Sequence, residues 1–235
     1  MKHVKKYGWV LFGGMVLAFN AGFINTTVLL SFVEHGVSHM TGNIALIGAN
    51  GYTGNFNEVL SILGIVCSFL IGSIINAIML DSQSFSLNHE YGRSLILQAT
   101  IMYFGVILLN HNLSLWSLIS GECLIAMACG MQNGMTTIYS GAVIRTTHMT
   151  GAVTDLGTEI GRFLKGASYE AWKIKTLLCL IISFMGGSTL GAALEQFTPN
   201  HPFDSLWGSV LIIFFTGLCF SLWSYRRKEK SKTID

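Results

Sequence analysis

Six stretches of this chain, residues 8–33, 59–80, 94–110, 115–140, 176–194 and 205–225, are dominated by apolar side chains and contain no lysine or arginine. A helix that crosses a bilayer needs about 20 such residues, with a range of roughly 17–25. Lipid offers no hydrogen-bond partners, so every backbone N–H and C=O must be satisfied within the protein, and runs of this length select helix over strand. The third run is the shortest and sits at the lower limit. Only 11% of the residues are charged, against about 25% in ordinary soluble domains. The start, "MKHVKKYGWVLFGGMVLAF", mimics a signal peptide. Its apolar run is too long for an h-region, no small-x-small cleavage site follows, and more spans come after, so it reads as a retained first membrane helix. The expected fold class is an all-α polytopic membrane protein with six transmembrane helices.

Several function classes drop out at once. A formal net charge of +2 makes no bulk electrostatic case for a nucleic-acid partner. Cys67, Cys123, Cys129, Cys179 and Cys219 all lie inside apolar runs without a C-x-x-C pair, which favours membrane-packed thiols over disulfides or a zinc site. No P-loop, glycine-rich nucleotide loop, H-E-x-x-H or G-x-S-x-G is present, so no cofactor is implied. Lysine and arginine instead report orientation. With both termini in the cytoplasm, all 14 fall on the cytoplasmic side, from Lys2 through Arg93 and Arg145 to the tail "RRKEKSK", and none lies in 34–58, 111–114 or 195–204. The tail itself reads as topology-fixing and attracted to lipid headgroups.

The chain also repeats itself. "SHMTGNIALIG" at 38–48 returns as "THMTGAVTDLG" at 147–157, "GFIN" at 22–25 as "GMQN" at 130–133, and "SFLIGSIINA" at 68–77 as "SFMGGSTLGA" at 183–192. Two units follow: residues 1–113, a first three-span repeat, and 114–235, a second with the basic tail. Three crossings per unit is an odd number, so the second unit is expected to be inverted relative to the first. Neither HMTG segment is expected to cross. The apolar part of the first is too short, and the second carries Asp155, Glu159 and Arg162, each costing about 2.5–3.5 kcal/mol at a helix centre. A re-entrant or interfacial placement stays open for both. Inverted repeats with broken helices recur in transporters and channels, although duplication by itself fixes architecture rather than function.

The doubled HMTG, the six spans and the length resemble the YoaK-like family of bacterial inner-membrane proteins. The resemblance covers nearly the whole chain. It implies a bacterial inner-membrane location and about six helices, and it carries over no substrate, cofactor or catalytic residue.

Thr41 and Thr150 are good N-cap residues, and Gly42 and Gly151 let the backbone turn or approach another helix. Short half-helices beginning at each Thr would present free N–H groups and positive dipole ends, suited to an anion or a polar acceptor. The plainer reading is that each motif caps an interfacial helix. His39 and His148 precede those caps; proton coupling is one reading, and a neutral imidazole bonded at a turn is the favoured one. Glu34, His35 and His39 make half a metal site, but the second copy has Ile144 where the first has His35, and no metal is expected. Asn25 and Asn133 either glue helices or line a polar path. Glu122 is the one ionisable group inside the six runs and the proton-coupling candidate, while its counterpart region around Gly14 has no carboxylate. Asp155, Glu159 and Arg162 read as a solvated helix with an ion pair. The ladders Ser68, Gly72, Asn76 and Ser183, Gly187, Gly191 are close-approach faces, expected to bring spans two and five together or to form a homo-oligomer face.

The preferred function is a transporter or channel for a small polar or anionic solute, with Asn25, His39, Thr41, Gly42, Asn133, His148, Thr150 and Gly151 around a central site. The alternative is an intramembrane enzyme, or a lipid-binding or lipid-modifying protein, using His39, His148 or Glu122. Expected partners are the lipid bilayer and the solute.

Overall fold

A computed structural model describes residues 2–31, 36–80, 89–111, 114–140, 145–197 and 203–232, and among them the chain is helical throughout with no strand. The helices are α1 (Lys2–Leu29), α2 (Met40–Thr53), α3 (Phe56–Met79), α4 (His89–His111), α5 (Leu115–Ser140), α6 (Met149–Leu164), α7 (Ala171–Phe197) and α8 (Leu206–Lys232). Six of them, α1, α3, α4, α5, α7 and α8, contain segments long and apolar enough to cross a membrane. The shortest apolar run, 94–110, belongs to a segment extending over Glu90–His111. Helical hydrogen bonding continues past the end of the apolar run, so charged first-turn residues such as Glu90 and Arg93 join the helix. Segments of α3 and α7 are likewise longer than their runs and take in Glu58 and Glu195, so Glu122 has ionisable company within the spans.

The other two helices begin at the HMTG motifs. At 14 and 16 residues, α2 and α6 extend about 21 and 24 Å, short of the roughly 30 Å hydrocarbon layer. Each folds back along the span that follows it, α2 on α3 and α6 on α7. Gly54, at φ 78°, ends α2 by turning its N–H to the Asn50 and Gly51 carbonyls, a left-handed conformation open to glycine. The Asn55 side chain then caps α3 by accepting the Glu58 amide at 3.4 Å.

The α6–α7 hairpin is held differently. Glu159, expected on a solvated face, is only 1% exposed. It keeps the anticipated pair with Arg162 at 3.0 Å, and adds Lys173 at 3.6 Å and the Glu170 amide at 3.1 Å. The loop after α6 brings Glu170 and Lys173 back over the carboxylate, which is why a surface pattern became a buried pin. The Glu170 amide foremost, then Arg162 and Lys173, hold the Glu159 carboxyl below its ordinary value of 4.5.

Span packing rests on glycine against carbonyl. A Cβ at Gly22 would overlap the Phe184 carbonyl, and one at Gly187 the Phe19 carbonyl, so α1 and α7 touch backbone to backbone. The same crossing joins α3 and α5: Gly130 sits on the Phe69 carbonyl and Gly72 on that of Met127. Ser188 Oγ donates to the Gly22 carbonyl at 3.3 Å, and Ser73 Oγ to the Gly130 carbonyl at 3.0 Å. These are the positions the sequence echo pairs. The expectation that spans two and five cross each other is corrected: among the described residues α3 and α7 make no contact. Each small face instead receives the glycine-bearing first span of the opposite half, because Gly22 and Gly130 supply the complementary hollow. Within the bundle, Ser94 Oγ donates to Asn76 Oδ1 at 2.5 Å and Gln98 Nε2 to Ser94 Oγ at 3.0 Å, tying α3 to α4 through fully buried groups.

Gly130→Ala is expected to destabilise the protein by about 1–3 kcal/mol through overpacking, read as a lower unfolding temperature in detergent, whereas Gly48→Ala, which faces open space, leaves it unchanged or raised. Glu159 contributes stability above its ordinary value of 4.5 that disappears as pH falls through the lowered folded value. Glu159→Gln should therefore unfold earlier than wild type at pH 7, with the gap closing under acid titration.

Candidate functional site

The starts of α2 and α6 face one cavity of about 270 Å³. Its wall takes Asn25 from α1, Ser38 to Thr41 at the start of α2, and Phe69 from α3. It takes Asn133 from α5, Thr147 to Thr150 at the start of α6, and Phe184 from α7. Both Phe residues lie near the middle of their spans, and the fold-back of each short helix is what brings its first turn to that level.

The two starts are built alike. His39 (φ −94°, ψ 61°) and His148 (φ −90°, ψ 64°) occupy the cap positions, and neither side chain makes a capping bond. The helices begin at Met40 and Met149, so Thr41 and Thr150 stand at the second helical position. The expectation that the Thr residues are the caps is corrected. The cause is upstream, where the residue before each His is tied to the preceding span. Ser38 Oγ donates to Asn25 Oδ1 at 3.0 Å. Asn133 Oδ1 accepts the Thr147 amide and the Thr146 hydroxyl, each at 3.3 Å, and its Nδ2 donates to Thr147 Oγ1. Gln132 Nε2 reinforces the second copy, donating to Thr146 Oγ1 at 2.9 Å and to the Leu17 carbonyl at 3.1 Å. Held there, the His takes the non-helical dihedrals that a cap requires.

The glycine of the motif also has a different role from the one expected. Neither Gly42 nor Gly151 has a positive φ, and the nearest atoms to a Cβ at either are those of the motif's own imidazole. At Gly42 it would stand 3.2 Å from His39 Cδ2, and at Gly151 it would overlap the His148 ring. The spacing H-x-x-G is that of a ring folded over the first turn of its helix, where residues three apart are neighbours.

Six of the nine expected site residues thus share one wall: Asn25, His39, Thr41, Asn133, His148 and Thr150. Gly42 and Gly151 lie behind it, beneath the imidazoles. Glu122 is fully buried on α5 but does not line this cavity; it is about 16 Å along the helix from Asn133. Glu34, His35 and Ile144 lie outside the described residues. No group of three His, Cys, Asp or Glu able to hold a metal occurs among the described residues. The lining residues that went unmarked in the sequence are Phe69 and Phe184, although the echo "SF" pairs them, Met40 and Met149, and the hydrogen-bonding Ser38 and Thr147.

Chemically, the wall offers amides, hydroxyls, imidazoles and two helix N-termini, whose dipoles favour negative charge or acceptor groups. Among the described residues it carries no carboxylate. Arg145 stands just behind it, Nη1 at 3.3 Å from His148 Nδ1. Among the described residues no hydroxyl in the wall is paired with an activating base in the manner of a nucleophile.

A family model described as "Protein of unknown function (DUF1275)" matches residues 13–219, from within α1 to within α8. No curated protein and no solved structure matches the chain.

Among the described residues Asn133 makes three bonds to the segment before α6 and Asn25 one to the segment before α2, so Asn133 should matter more. Asn133→Ala is expected to cost about 1–3 kcal/mol by leaving buried partners unsatisfied, and Asn25→Ala less, measured as unfolding temperatures in detergent.

Proposed function

The chain belongs to the DUF1275 family of proteins of unknown function, and on the geometry of its cavity we propose that it is a small integral-membrane transporter for a small polar or anionic solute. The setting proposed is a bacterial inner membrane with both termini cytoplasmic, following the distribution of lysine and arginine. The two halves are proposed to be inverted three-span repeats, so that the two short helices reach the central cavity from opposite faces.

One observation carries this reading. The cavity wall is written twice, an Asn, a His, a Thr and a Phe from each half of the chain, around a space between two helix starts. Its volume of about 270 Å³ leaves room for a solute of a few heavy atoms. Thr41 and Thr150 hydroxyls and the first-turn N–H groups serve as donors, and the paired Asn side chains serve as donors or acceptors as the solute requires.

The test begins with a thermal-shift screen of the purified protein against small polar and anionic compounds, followed by flux of any hit in proteoliposomes. Thr41→Val and Thr150→Val should each weaken half-saturation roughly 2–10-fold, the worth of one hydrogen bond, with unfolding temperature retained. Unchanged flux in both variants would remove the site from this cavity.

A further inference from the structure

The halves that match in sequence are not equally closed. In one joint α4 is clamped on α5: a Cβ at Gly105 would stand 3.1 Å from the Gly121 carbonyl oxygen, and one at Gly121 3.0 Å from that of Gly105. The echo that pairs Gly22 with Gly130 pairs Gly13 on α1 with Gly121 on α5. By the same exchange, α8 is the helix that would clamp Gly13, just as α4 clamps Gly121. It does run beside α1, yet nothing among the described residues lies within 4 Å of a Cβ at Gly13. One joint is shut and, among the described residues, its counterpart is open.

The contacts also divide the chain into two bodies. Among the described helices α7 packs on α1 and α6 alone, and these three meet the rest where α1 passes α8 and grazes α5, with the hydrogen bonds of Asn25, Gln132 and Asn133 crossing the same seam. Helices α2, α3 and α5 form the second body, and the pair α4–α8, locked at Gly92 and Gly217, is held against it through α3 and α5. The cavity lies along the seam. Asn25, His148 and Phe184 stand on the first body, and their echo partners Asn133, His39 and Phe69 on the second.

We propose that the protein is a carrier rather than a channel, working by exchange of the two joints. Halves with like sequences can adopt each other's contacts at similar free energy, so the present arrangement, with α4–α5 shut and α1–α8 open, has a partner state. There α8 closes on Gly13 and α4 parts from Gly121. The α4–α8 pair thereby passes from α5 to α1, the two bodies turning about the cavity, which opens to one face in each state, as in alternating access generally. This rests on the transport reading and on the inverted halves proposed above.

The discriminating variant is Gly13→Leu. Its side chain enters open space in the present state and blocks the other, so unfolding temperature should hold while exchange stops. The readout needs no solute: Thr41→Cys, in protein with the native cysteines replaced by Ala, is labelled with a membrane-impermeant maleimide from each face of oriented vesicles. The parent should label from both faces. Adding Gly13→Leu should lower labelling from one face at least tenfold and spare the other, and adding Gly121→Leu should bias toward the opposite face. Should the cysteine-replaced protein not fold, the native cysteines are kept and the chain without Thr41→Cys serves as blank. Labelling of the parent from one face only, or Gly13→Leu leaving both faces unchanged, overturns the carrier. Alternating labelling alongside unaffected flux in Thr41→Val would keep the motion and discard the site.

Discussion

Backbone meeting backbone, glycine on carbonyl, is the contact from which the rest of this architecture follows. In hydrocarbon, apolar side chains gain nothing by leaving lipid for one another, so helices associate through close packing and hydrogen bonds. Gly22 on the Phe184 carbonyl and Gly130 on the Phe69 carbonyl allow that approach, each reinforced by a serine hydroxyl on the glycine carbonyl. Each crossing sets the height and rotation of a Phe-bearing span. With α3 and α7 so placed, the hairpins that fold back along them deliver His39 and His148 to the level of the two Phe rings, and the cavity is the space left between.

The HMTG motif acquires a physical sense from this. Its histidine is the cap and its glycine is the floor beneath the histidine's ring. Its threonine, freed from capping, is exposed at the cavity. The asparagine fifteen or fourteen residues upstream belongs to the same device, because it holds the residue before the histidine in place. Position-by-position preferences favour Thr over His as a cap; a tether from another helix outweighs a preference of that size.

Much of the cavity wall was legible because its residues recur in the echo. Asn25, His39 and Thr41 drew notice through their partners Asn133, His148 and Thr150, and the structure gathers all six at one wall. Glu122, marked for its charge alone and without a counterpart, is buried elsewhere on α5. Glu159 was misread for the opposite reason. Its charge pattern along α6 looks solvated, and only the returning loop with Glu170 and Lys173 covers it. The Phe pair shows where side-chain type misleads, since an aromatic residue in a membrane span attracts no attention until a crossing places it beside polar groups.

The sequence by itself determined where the six apolar segments lie, since lipid leaves a long uncharged run few options, and it displays three stretches that recur in order. It also marked which helix faces are small. It could not say which helix each small face would meet, because one glycine face looks like another along the chain. The tertiary structure decided that α1 takes α7 and α5 takes α3, where hollow and carbonyl fit together. It decided too that one joint is shut at Gly121 while, among the described residues, nothing closes on its counterpart at Gly13, a difference between like sequences that arises from the positions of whole helices.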